Sequence, residues 1–332
     1  MLFKEDAAAR AQVKAVRENV GWYRWTHDQV TLSGPDAARF LDYMLVNDMA
    51  SLAVGRSRYT CMLDDEGKII DDLIAMRVGE DTFWLSTLYG PHMVKHFDAH
   101  KGDFDVTYED TTQAQDMYAI QGPNSAAMMD ALIDASVADM KRFSLLAAKV
   151  GDIEVTVHRS GFTGENGYEI YCTRDDSAAV YAAIEAAAAK FDAPRLDILE
   201  VYVRSIPMEK GFGLRQDYYK LSPYECGFDW QIRDKDFVGK EAMEAYHDEG
   251  EKLAFVGFEL DPARESYEDI AQGEGVFVRG VRVGKATQFI YGYTVDKNIG
   301  FGVVRADRVK IGDTVKIGPN DAKALVVEPK WC

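Results

Sequence analysis

The sequence predicts an α+β fold, in which two mixed modules are followed by a small all-β domain. Two segments share the order of a strand, a Gly-Pro break and a helix, with the breaks at Gly34-Pro35 and Gly122-Pro123. A repeated order of this kind predicts two related modules. From Leu253 to the end, short strand patterns alternate with glycine turns, and helical periodicity is almost absent. This texture is typical of a β-barrel or sandwich of roughly 80 residues.

Local periodicity predicts the elements of the first module. Apolar residues recur at helical spacing near the N-terminus, and apolar and polar residues alternate in the strand segments. In order, the predicted elements are a helix within residues 1–20, a strand at 29–33, a helix ending near 45, strands at 59–63, 69–78 and 82–87, a helix at 90–100 and a strand at 104–108. A polar turn at 64–67 joins the predicted strands at 59–63 and 69–78.

The same signals predict the second module and the domain boundary. In order, its elements are a strand at 116–120, a helix at 125–132, strands at 153–158 and 168–173, and a helix at 177–191. One more short helix follows residues 236–240. The texture changes after it, so we place the boundary between residues 250 and 251, which gives regions 1–250 and 251–332. A chain of 332 residues is long enough for more than one core.

Charge and hydropathy argue against several classes of function. Lys and Arg number 38 against 55 Asp and Glu, and the net charge is −17. A field of this sign repels nucleic acid and anionic membranes, although a local basic cluster still binds a small anion. No apolar run reaches the ~20 residues of a membrane helix, and the N-terminus lacks the apolar block of a secretory signal. We therefore expect a cytoplasmic protein without nucleic-acid or membrane partners.

Cysteine and histidine spacing predicts no metal site. The four cysteines are scattered without a CxxC pair, which is typical of free thiols in a reducing compartment. His92, His96 and His100 share one face of a predicted helix, but no carboxylate completes that face. A solvated helix face is the better interpretation.

Several segments, in the same order along the chain, resemble the aminomethyltransferase (glycine-cleavage T-protein) family. The matching segments are YTCMLDDEGKIIDDL at 59–73, QGP at 121–123, RSGFTGENGYEI at 159–170, EKGF at 209–212 and DFVGKEA at 236–242. The third and the last are the specific ones, and the match spans nearly the whole chain. The resemblance implies an enzyme that transfers a one-carbon unit with tetrahydrofolate as its cofactor. It also implies two intertwined α+β modules of ferredoxin-like type and a C-terminal β-barrel, around a central folate cavity.

The resemblance also implies which residues bind folate. Glu169 takes the position of the acid that accepts two hydrogen bonds from the pterin edge, and a carboxylate in the apolar segment YEIY is costly unless it is paired. An edge strand with Glu169 in water is the structural alternative. Asp72 takes the position of the catalytic acid beside the reactive nitrogens. Adjacent strand residues face opposite sides, so at most one of Asp71 and Asp72 enters the site. Tyr59, Phe162 and Trp230 take positions that line the pocket, with core packing as the alternative.

The substrate side departs from the family pattern. The family shows DVSHM where this chain has approximately Tyr23-Arg24-Trp25-Thr26-His27, and an Arg where it has Pro207. We predict that Trp22, Tyr23, Trp25 and His27 form an aromatic substrate wall. A substrate carboxylate would be bound by Arg215, Arg24 or Lys210. Scattered surface aromatic and basic residues are the alternative interpretation.

These departures make demethylation of a small O-, S- or N-methyl substrate the preferred interpretation. One alternative is aminomethyl transfer in a glycine-cleavage-type system, with or without a lipoyl carrier protein. A second is a non-enzymatic folate-binding protein of the iron–sulfur repair type, but Phe212 stands where those relatives have a cysteine. The partner is in each enzymatic case a small-molecule methyl or aminomethyl donor, and the sequence leaves the donor and the oligomeric state open.

Overall fold

The structure is a computed structural model, and it describes residues 6–25, 27–261 and 270–332. Its α-helices are α1 (Ala7–Glu18), α2 (Ala37–Met44), α3 (Gly90–His100), α4 (Ser125–Asp130), α5 (Ser177–Lys190), α6 (Ile206–Glu209), α7 (Arg215–Tyr218) and α8 (Lys240–Asp248). A π-helical segment, Ile198–Ser205, leads directly into α6. Among the described residues, none of these helices combines the length and the apolar character needed to cross a membrane.

The strands form two five-stranded sheets and a closed barrel. They are β1 (Gly21–Arg24), β2 (Asp28–Ser33), β3 (Arg56–Leu63), β4 (Ile69–Gly79), β5 (Thr82–Thr87), β6 (Thr107–Asp110), β7 (Gln115–Gln121), β8 (Leu145–Val150), β9 (Ile153–His158), β10 (Gly167–Thr173), β11 (Leu253–Leu260), β12 (Gly275–Val278), β13 (Val281–Gly292), β14 (Lys297–Arg305), β15 (Thr314–Ile317) and β16 (Ala322–Val327). The first sheet has the order β3-β4-β5-β2-β6, the second β1-β7-β10-β9-β8, and the barrel β11-β14-β13-β12-β15-β16.

Strand β1 makes the two modules intertwined. It precedes every strand of the first sheet in the chain, yet it pairs with β7 of the second sheet, in the register Trp22 to Ile120. The predicted fold class, two α+β modules and a C-terminal β-barrel, is confirmed. The first barrel strand begins at Leu253, whereas the boundary between residues 250 and 251 stays a prediction.

Several elements differ from the sequence prediction. The prediction missed β1, β8, α6, α7 and the π-helical segment, and the strand expected at 104–108 begins at Thr107. Phe104 does not join the sheet because its ring packs against Phe40 of α2, with 5.3 Å between ring centroids. Packing of this kind overrides local strand propensity.

The two Gly-Pro breaks have the same backbone geometry. Gly34 has a φ of +135° and Gly122 a φ of +130°, which L-residues rarely adopt. A Cβ at Gly34 would lie 2.4 Å from the Asp105 carbonyl oxygen, and one at Gly122 would lie 2.5 Å from that of Asn19. In both units the carbonyl of the glycine accepts a 3.0 Å hydrogen bond from the residue three positions later. The two glycines therefore perform the same turn in the two modules.

The EKGF segment ties α1, α6 and the barrel together. Glu209 is fully buried and accepts hydrogen bonds from Arg17 of α1 (2.9 Å) and from the backbone N–H and hydroxyl of Thr294 (2.8 and 2.6 Å). Arg17 also binds Glu165 at 2.8 Å. A buried carboxylate is tolerated only with such partners. The contacts of Glu209 therefore give the EKGF segment a structural role, which is to hold α1 and the barrel domain together.

The QGP and RSGFTGENGYEI segments are partners of one another. The Gln121 amide is buried, donates to the Ser160 carbonyl at 3.1 Å and accepts from the Thr163 hydroxyl at 2.8 Å. A Cβ at Gly161 or Gly167 would lie within 2.3 Å of that amide group. The glycines of the signature thus leave the space that the Gln121 side chain fills.

Replacing Thr163 by Val is expected to destabilise the protein by about 1–3 kcal/mol, because it leaves the buried Gln121 oxygen without its donor. Urea unfolding measures the change in the free energy of unfolding. Thr107→Val, at an exposed strand position, is the control and should stay within about 0.5 kcal/mol of the unmodified protein. Equal losses for the two variants would contradict this account.

Candidate active site between the two sheets

One face of each sheet contributes to a shared cluster of side chains. Tyr23, Met117, Ala119 and Tyr171 come from the second sheet, and Ile74, Met76 and Trp84 from the first. The rings of Trp84 and Tyr171 lie 6.0 Å apart across this interface. The acidic residues predicted for the site lie on the same two faces, because strand residues two positions apart share a face.

Glu169 lies inside the second sheet. It belongs to β10, which pairs on one side with β7 and on the other with β9. The side chain is only 5% exposed, so the alternative of an edge strand facing water is wrong. Its Oε2 accepts a hydrogen bond from His158 Nδ1 at 3.0 Å and another from the Tyr171 hydroxyl at 3.2 Å.

The environment of Glu169 favours its ionised form. Burial acts to raise the pKa of Glu169, but the hydrogen bond and charge of His158, together with His27 and Tyr171, lower that pKa below its usual range. The carboxylate is therefore anionic at neutral pH. A buried anion of this kind is a strong acceptor for N–H donors.

Unpartnered polar groups surround Glu169. The hydroxyls of Tyr23 and Tyr202 and the Nε2 atom of His27 are buried. Among the described residues none of these three atoms has a partner in hydrogen-bond geometry, although the two hydroxyls interact with each other. The rings of Tyr23 and Tyr202 lie 3.5 Å apart, and Glu169 raises the pKa of both hydroxyls beyond the effect of burial. Buried polar groups of native proteins normally have partners. These groups therefore fit a ligand with several polar atoms.

The predicted substrate residues Trp25 and His27 lie next to this cluster. Their rings are 4.7 Å apart, and the Trp25 ring meets Tyr202 edge-on at 6.0 Å. His27 Nδ1 is 3.1 Å from the Ser86 hydroxyl, and burial lowers the pKa of His27. The His27 imidazole is therefore neutral at neutral pH. The rest of the proposed aromatic wall is core, since Trp22 is 3% and Tyr23 0% exposed.

Asp72 and Asp71 lie on opposite faces of β4, as alternation predicts. Asp72 is partly buried and accepts a 2.8 Å hydrogen bond from the Tyr59 hydroxyl. Burial raises the pKa of Asp72 to about 6, although the Tyr59 hydrogen bond opposes the rise. Asp71 is 2% exposed and accepts a hydrogen bond from the Thr87 hydroxyl. Burial, and then the charge of Asp72, raise the pKa of Asp71 to about 7.

Asp71→Asn is expected to stabilise the protein at pH 8 by a few kcal/mol, at about 1.4 kcal/mol per pKa unit. The folded protein holds the Asp71 proton more tightly than the unfolded chain, so its contribution to stability is complete below pH 4 and is lost as pH rises through about 7. The stabilisation should therefore nearly vanish at pH 4. Urea unfolding at both pH values measures it. Asp103→Asn, at an exposed position, should show no such dependence.

Trp230 and Phe162 lie at different depths. The Trp230 indole is 55% exposed and stacks on Tyr59, with 6.4 Å between ring centroids. It therefore lies at the surface beside Tyr59. Phe162 is partly buried between Phe212 and Tyr202, at 5.8 and 6.3 Å. It belongs to the cluster that holds the unpartnered tyrosines.

Arg215 belongs to a different group of residues from Trp25 and His27. Its Nε donates to the Ile70 carbonyl at 2.6 Å, and its guanidinium lies 3.3 Å from the centre of the Tyr89 ring and 4.4 Å from that of Tyr219. It lines a pocket of about 240 Å³ together with Lys285 of the barrel. Arg215 also acts to lower the pKa of Asp71 and Asp72, so its charge reaches both carboxylates.

Several residues of the site have no sequence signal. His158, Tyr171, Tyr202 and Asp217 meet the predicted acids only in the folded chain. Asp217 is 1% exposed, accepts from Gln288 at 2.6 Å, and has its pKa raised to about 6 by burial. Among these residues, His158 and Tyr171 adjoin the two ends of the quoted signature, but a single histidine or tyrosine in a strand is no evidence of a site.

Between the two packed sheets lie an ionised buried acid, buried polar groups without partners in hydrogen-bond geometry, and Asp72, whose pKa is raised to about 6. These features define an enzyme that acts on a small polar molecule. Residues 3–236 match the model of the GCVT N-terminal domain, and residues 254–331 match that of the glycine cleavage T-protein C-terminal barrel domain. The chain therefore belongs to the glycine cleavage T-protein family, whose members are tetrahydrofolate-dependent transferases.

Individual relatives agree with this assignment. The aminomethyltransferase of Thermotoga petrophila is 30% identical, over 96% of this chain and 87% of its own length. That of Clostridium botulinum strain Loch Maree is 29% identical, over 95% and 87%. A crystal structure of glycine cleavage system aminomethyltransferase T from Bartonella henselae matches with a TM-score of 0.83 and 22% identity, over 96% of this chain and 88% of that one. At this identity the structural likeness supports the fold alone.

Proposed function

We propose that this enzyme transfers a one-carbon unit from an aminomethyl donor to tetrahydrofolate bound between the two sheets. The observation that carries the proposal is Glu169, a buried carboxylate that is ionised and faces buried polar groups without partners. The site also fits the hydrogen-bonding chemistry of a reduced pterin. That ring has N–H and amino donors along one edge and further polar atoms around it.

Glu169 would accept hydrogen bonds from the pterin edge. The hydroxyls of Tyr23 and Tyr202 and the Nε2 atom of His27 would bind its remaining polar atoms, while Phe162 and Trp25 would pack against its rings. Tyr59 and the exposed Trp230 would flank the outer part of the ligand. When bound, tetrahydrofolate supplies the nucleophilic nitrogen that accepts the one-carbon unit. We propose no other cofactor and no metal.

Asp72 would act on the charge that develops during transfer. Its carboxylate, held by Tyr59, would stabilise positive charge on the carbon that moves and on the departing amine. Its pKa of about 6 keeps it mostly ionised at neutral pH. A positioned and partly desolvated carboxylate of this kind is more effective than one in water, because the local dielectric is lower.

An aminomethyl donor is better supported than a methyl donor. The relatives named above are aminomethyltransferases that are about 30% identical over nearly the whole chain, which favours the alternative of the sequence analysis over its preferred demethylation. The structure also weakens the argument from the altered segment. Tyr23 is fully buried, so it forms no open substrate wall. Arg24 is already paired with the buried Asp116 at 2.5 Å, which weakens its candidacy for a substrate carboxylate.

Arg215 would then bind an anionic group of the donor or of its carrier. Its guanidinium is fixed by two aromatic rings and a carbonyl beside Lys285, so two cations line one pocket. The donor would be a small molecule or a lipoyl group. A cytoplasmic location of the protein remains our expectation from the sequence.

Anaerobic titration of the purified protein with tetrahydrofolate tests the proposal, first alone and then with one donor at a time. An S-aminomethyl dihydrolipoyl donor is expected to yield a folate product that carries a methylene bridge, detected by mass spectrometry. A methylated product from an O-, S- or N-methyl donor, with no reaction of the aminomethyl donor, would replace the proposed donor. Absence of tetrahydrofolate binding would overturn the proposal.

A further inference from the structure

A buried chain of hydrogen bonds connects Glu169 to the other sheet. His158 of β9 lies directly opposite Glu169 in the β9–β10 register, and its Nδ1 is 3.0 Å from Glu169 Oε2. Its Nε2 is 2.6 Å from the hydroxyl of Ser57, which belongs to β3 of the first sheet. Ser57 is 5% exposed and His158 is fully buried. The three side chains thus link the two modules, and the chain ends at Glu169.

This arrangement has the order of a Ser-His-acid triad, but it does not have the access that a nucleophile needs. A substrate would have to reach the Ser57 hydroxyl, which is buried between the sheets beside a fully buried imidazole. The backbone N–H of Ser57 is also engaged, with the Phe143 carbonyl at 2.9 Å. The hydrogen-bond chain from Ser57 through His158 therefore serves to orient Glu169 and not to form a nucleophile.

Glu169 selects the tautomer of His158. An ionised carboxylate only accepts hydrogen bonds, so Nδ1 of the neutral imidazole carries the proton and donates to Glu169. Nε2 then accepts from the Ser57 hydroxyl, which holds the ring in this orientation. In the charged imidazolium both nitrogens donate, so the bond to Glu169 persists and the Ser57 oxygen accepts. Both forms keep a donor on the same carboxylate oxygen.

The two oxygens of Glu169 are consequently unequal. Oε2 already has two donors, His158 and Tyr171, which fill the two lone-pair directions of a carboxylate oxygen. Oε1 receives no hydrogen bond from the described part of the chain. The orientation of the carboxyl plane, and hence the direction of Oε1, is fixed by the side chains on Oε2.

We propose that Ser57 and His158 are positioning residues for folate, which hold the Glu169 carboxylate so that Oε1 is directed at the ligand. This inference rests on the proposed function. Tyr171 is the movable partner, because its bond to Oε2 is the longer one and its hydroxyl also interacts with Ser86. When a ligand donates to both oxygens, Tyr171 gives up its place on Oε2 and His158 stays.

Equilibrium binding of tetrahydrofolate to variants of Ser57 and His158 tests this role. At metal sites, loss of a group that orients a metal-binding side chain costs roughly 10- to 100-fold in affinity, and we expect a similar range for Glu169. His158→Leu is expected to weaken tetrahydrofolate binding by about 100-fold, and Ser57→Ala by about 10-fold. His158→Asn should recover most of the affinity, since its amide N–H lies near the position of Nδ1, and Ser57→Thr should bind like the unmodified protein. In the His158→Asn background, Ser57→Ala should have no further effect on affinity.

Thermal melting and a matched control separate positioning from general destabilisation. Ser177 is also 5% exposed and its hydroxyl is 2.7 Å from that of Tyr118, on the other face of the second sheet. Ser177→Ala should lower the melting temperature about as much as Ser57→Ala while leaving the dissociation constant unchanged. If Ser57→Ala and His158→Leu fold and both bind with the affinity of the unmodified protein, or if Ser177→Ala weakens binding equally, the inference is overturned. If the unmodified protein binds no tetrahydrofolate, the proposed function fails instead.

Discussion

Replacing Glu169 by Gln is expected to weaken tetrahydrofolate binding by about 10²- to 10⁴-fold. A hydrogen bond to a charged group is worth about 1.5–3 kcal/mol, and two such bonds to the pterin edge correspond to that factor. The amide has one oxygen instead of two. If the amide turns its NH₂ group toward His158 Nδ1, two donors face each other. If it turns the NH₂ group toward the ligand, it presents a donor where the pterin edge needs an acceptor. Anaerobic calorimetry measures the dissociation constant.

Glu154→Gln is the matched control for this prediction. Glu154 lies on β9, next to the strand that carries Glu169, but its side chain is exposed. Neutralising it changes the net charge of the protein by the same amount and should leave the dissociation constant within about twofold, since exposed charges are screened. Tetrahydrofolate binding by Glu169→Gln at the unmodified affinity, with an unmodified melting temperature, would remove Glu169 from the site.

Replacing Asp72 by Asn is expected to lower kcat by about 10²- to 10³-fold while changing the dissociation constant of tetrahydrofolate only a few-fold. Removal of one preorganised electrostatic group from a transition state has costs of this size. Asn keeps the shape and still accepts a hydrogen bond from Tyr59, so the effect isolates the charge. Single-turnover kinetics with a saturating aminomethyl donor measures the rate of transfer.

The pH profile of kcat/KM distinguishes two roles of Asp72. If the carboxylate stabilises positive charge, kcat/KM rises with pH through about 6, where burial places the pKa of Asp72. This inflection should be absent in Asp72→Asn. A profile that falls through the same pH would instead indicate that the protonated form is active as an acid. Asp71→Asn is the control, because Asp71 lies on the opposite face of β4, and its kcat should change less than about threefold.

Strand alternation explains how much of the site was predictable. It correctly placed Asp71 and Asp72 on opposite faces, but alternation alone left Glu169 either in water or inside the sheet. The answer came from the sheet order, since β10 lies between β7 and β9. The same order brought His158 opposite Glu169, although the two residues are separated by the whole GFTGENG turn.

Sequence and structure differ most on the substrate side. The segment that contains Trp25 and His27 resembles a wall of exposed aromatic residues when it is considered alone. In the fold it passes between two sheets, so Tyr23 is buried against Tyr202 and Arg24 is paired with Asp116. Local composition gave no information about these partners, which lie far away in the chain.

The sequence by itself determined the family, the three-part architecture and most strand and helix positions, because periodicity, glycine turns and ordered motifs are local properties of the chain. Only the tertiary structure decided which polar groups share a space. Ser57, His158 and Glu169 come from strands of both sheets, and no local pattern encodes their distances. The charge states of Glu169 and Asp72 likewise depend on burial and on partners, which exist only after the two sheets have packed.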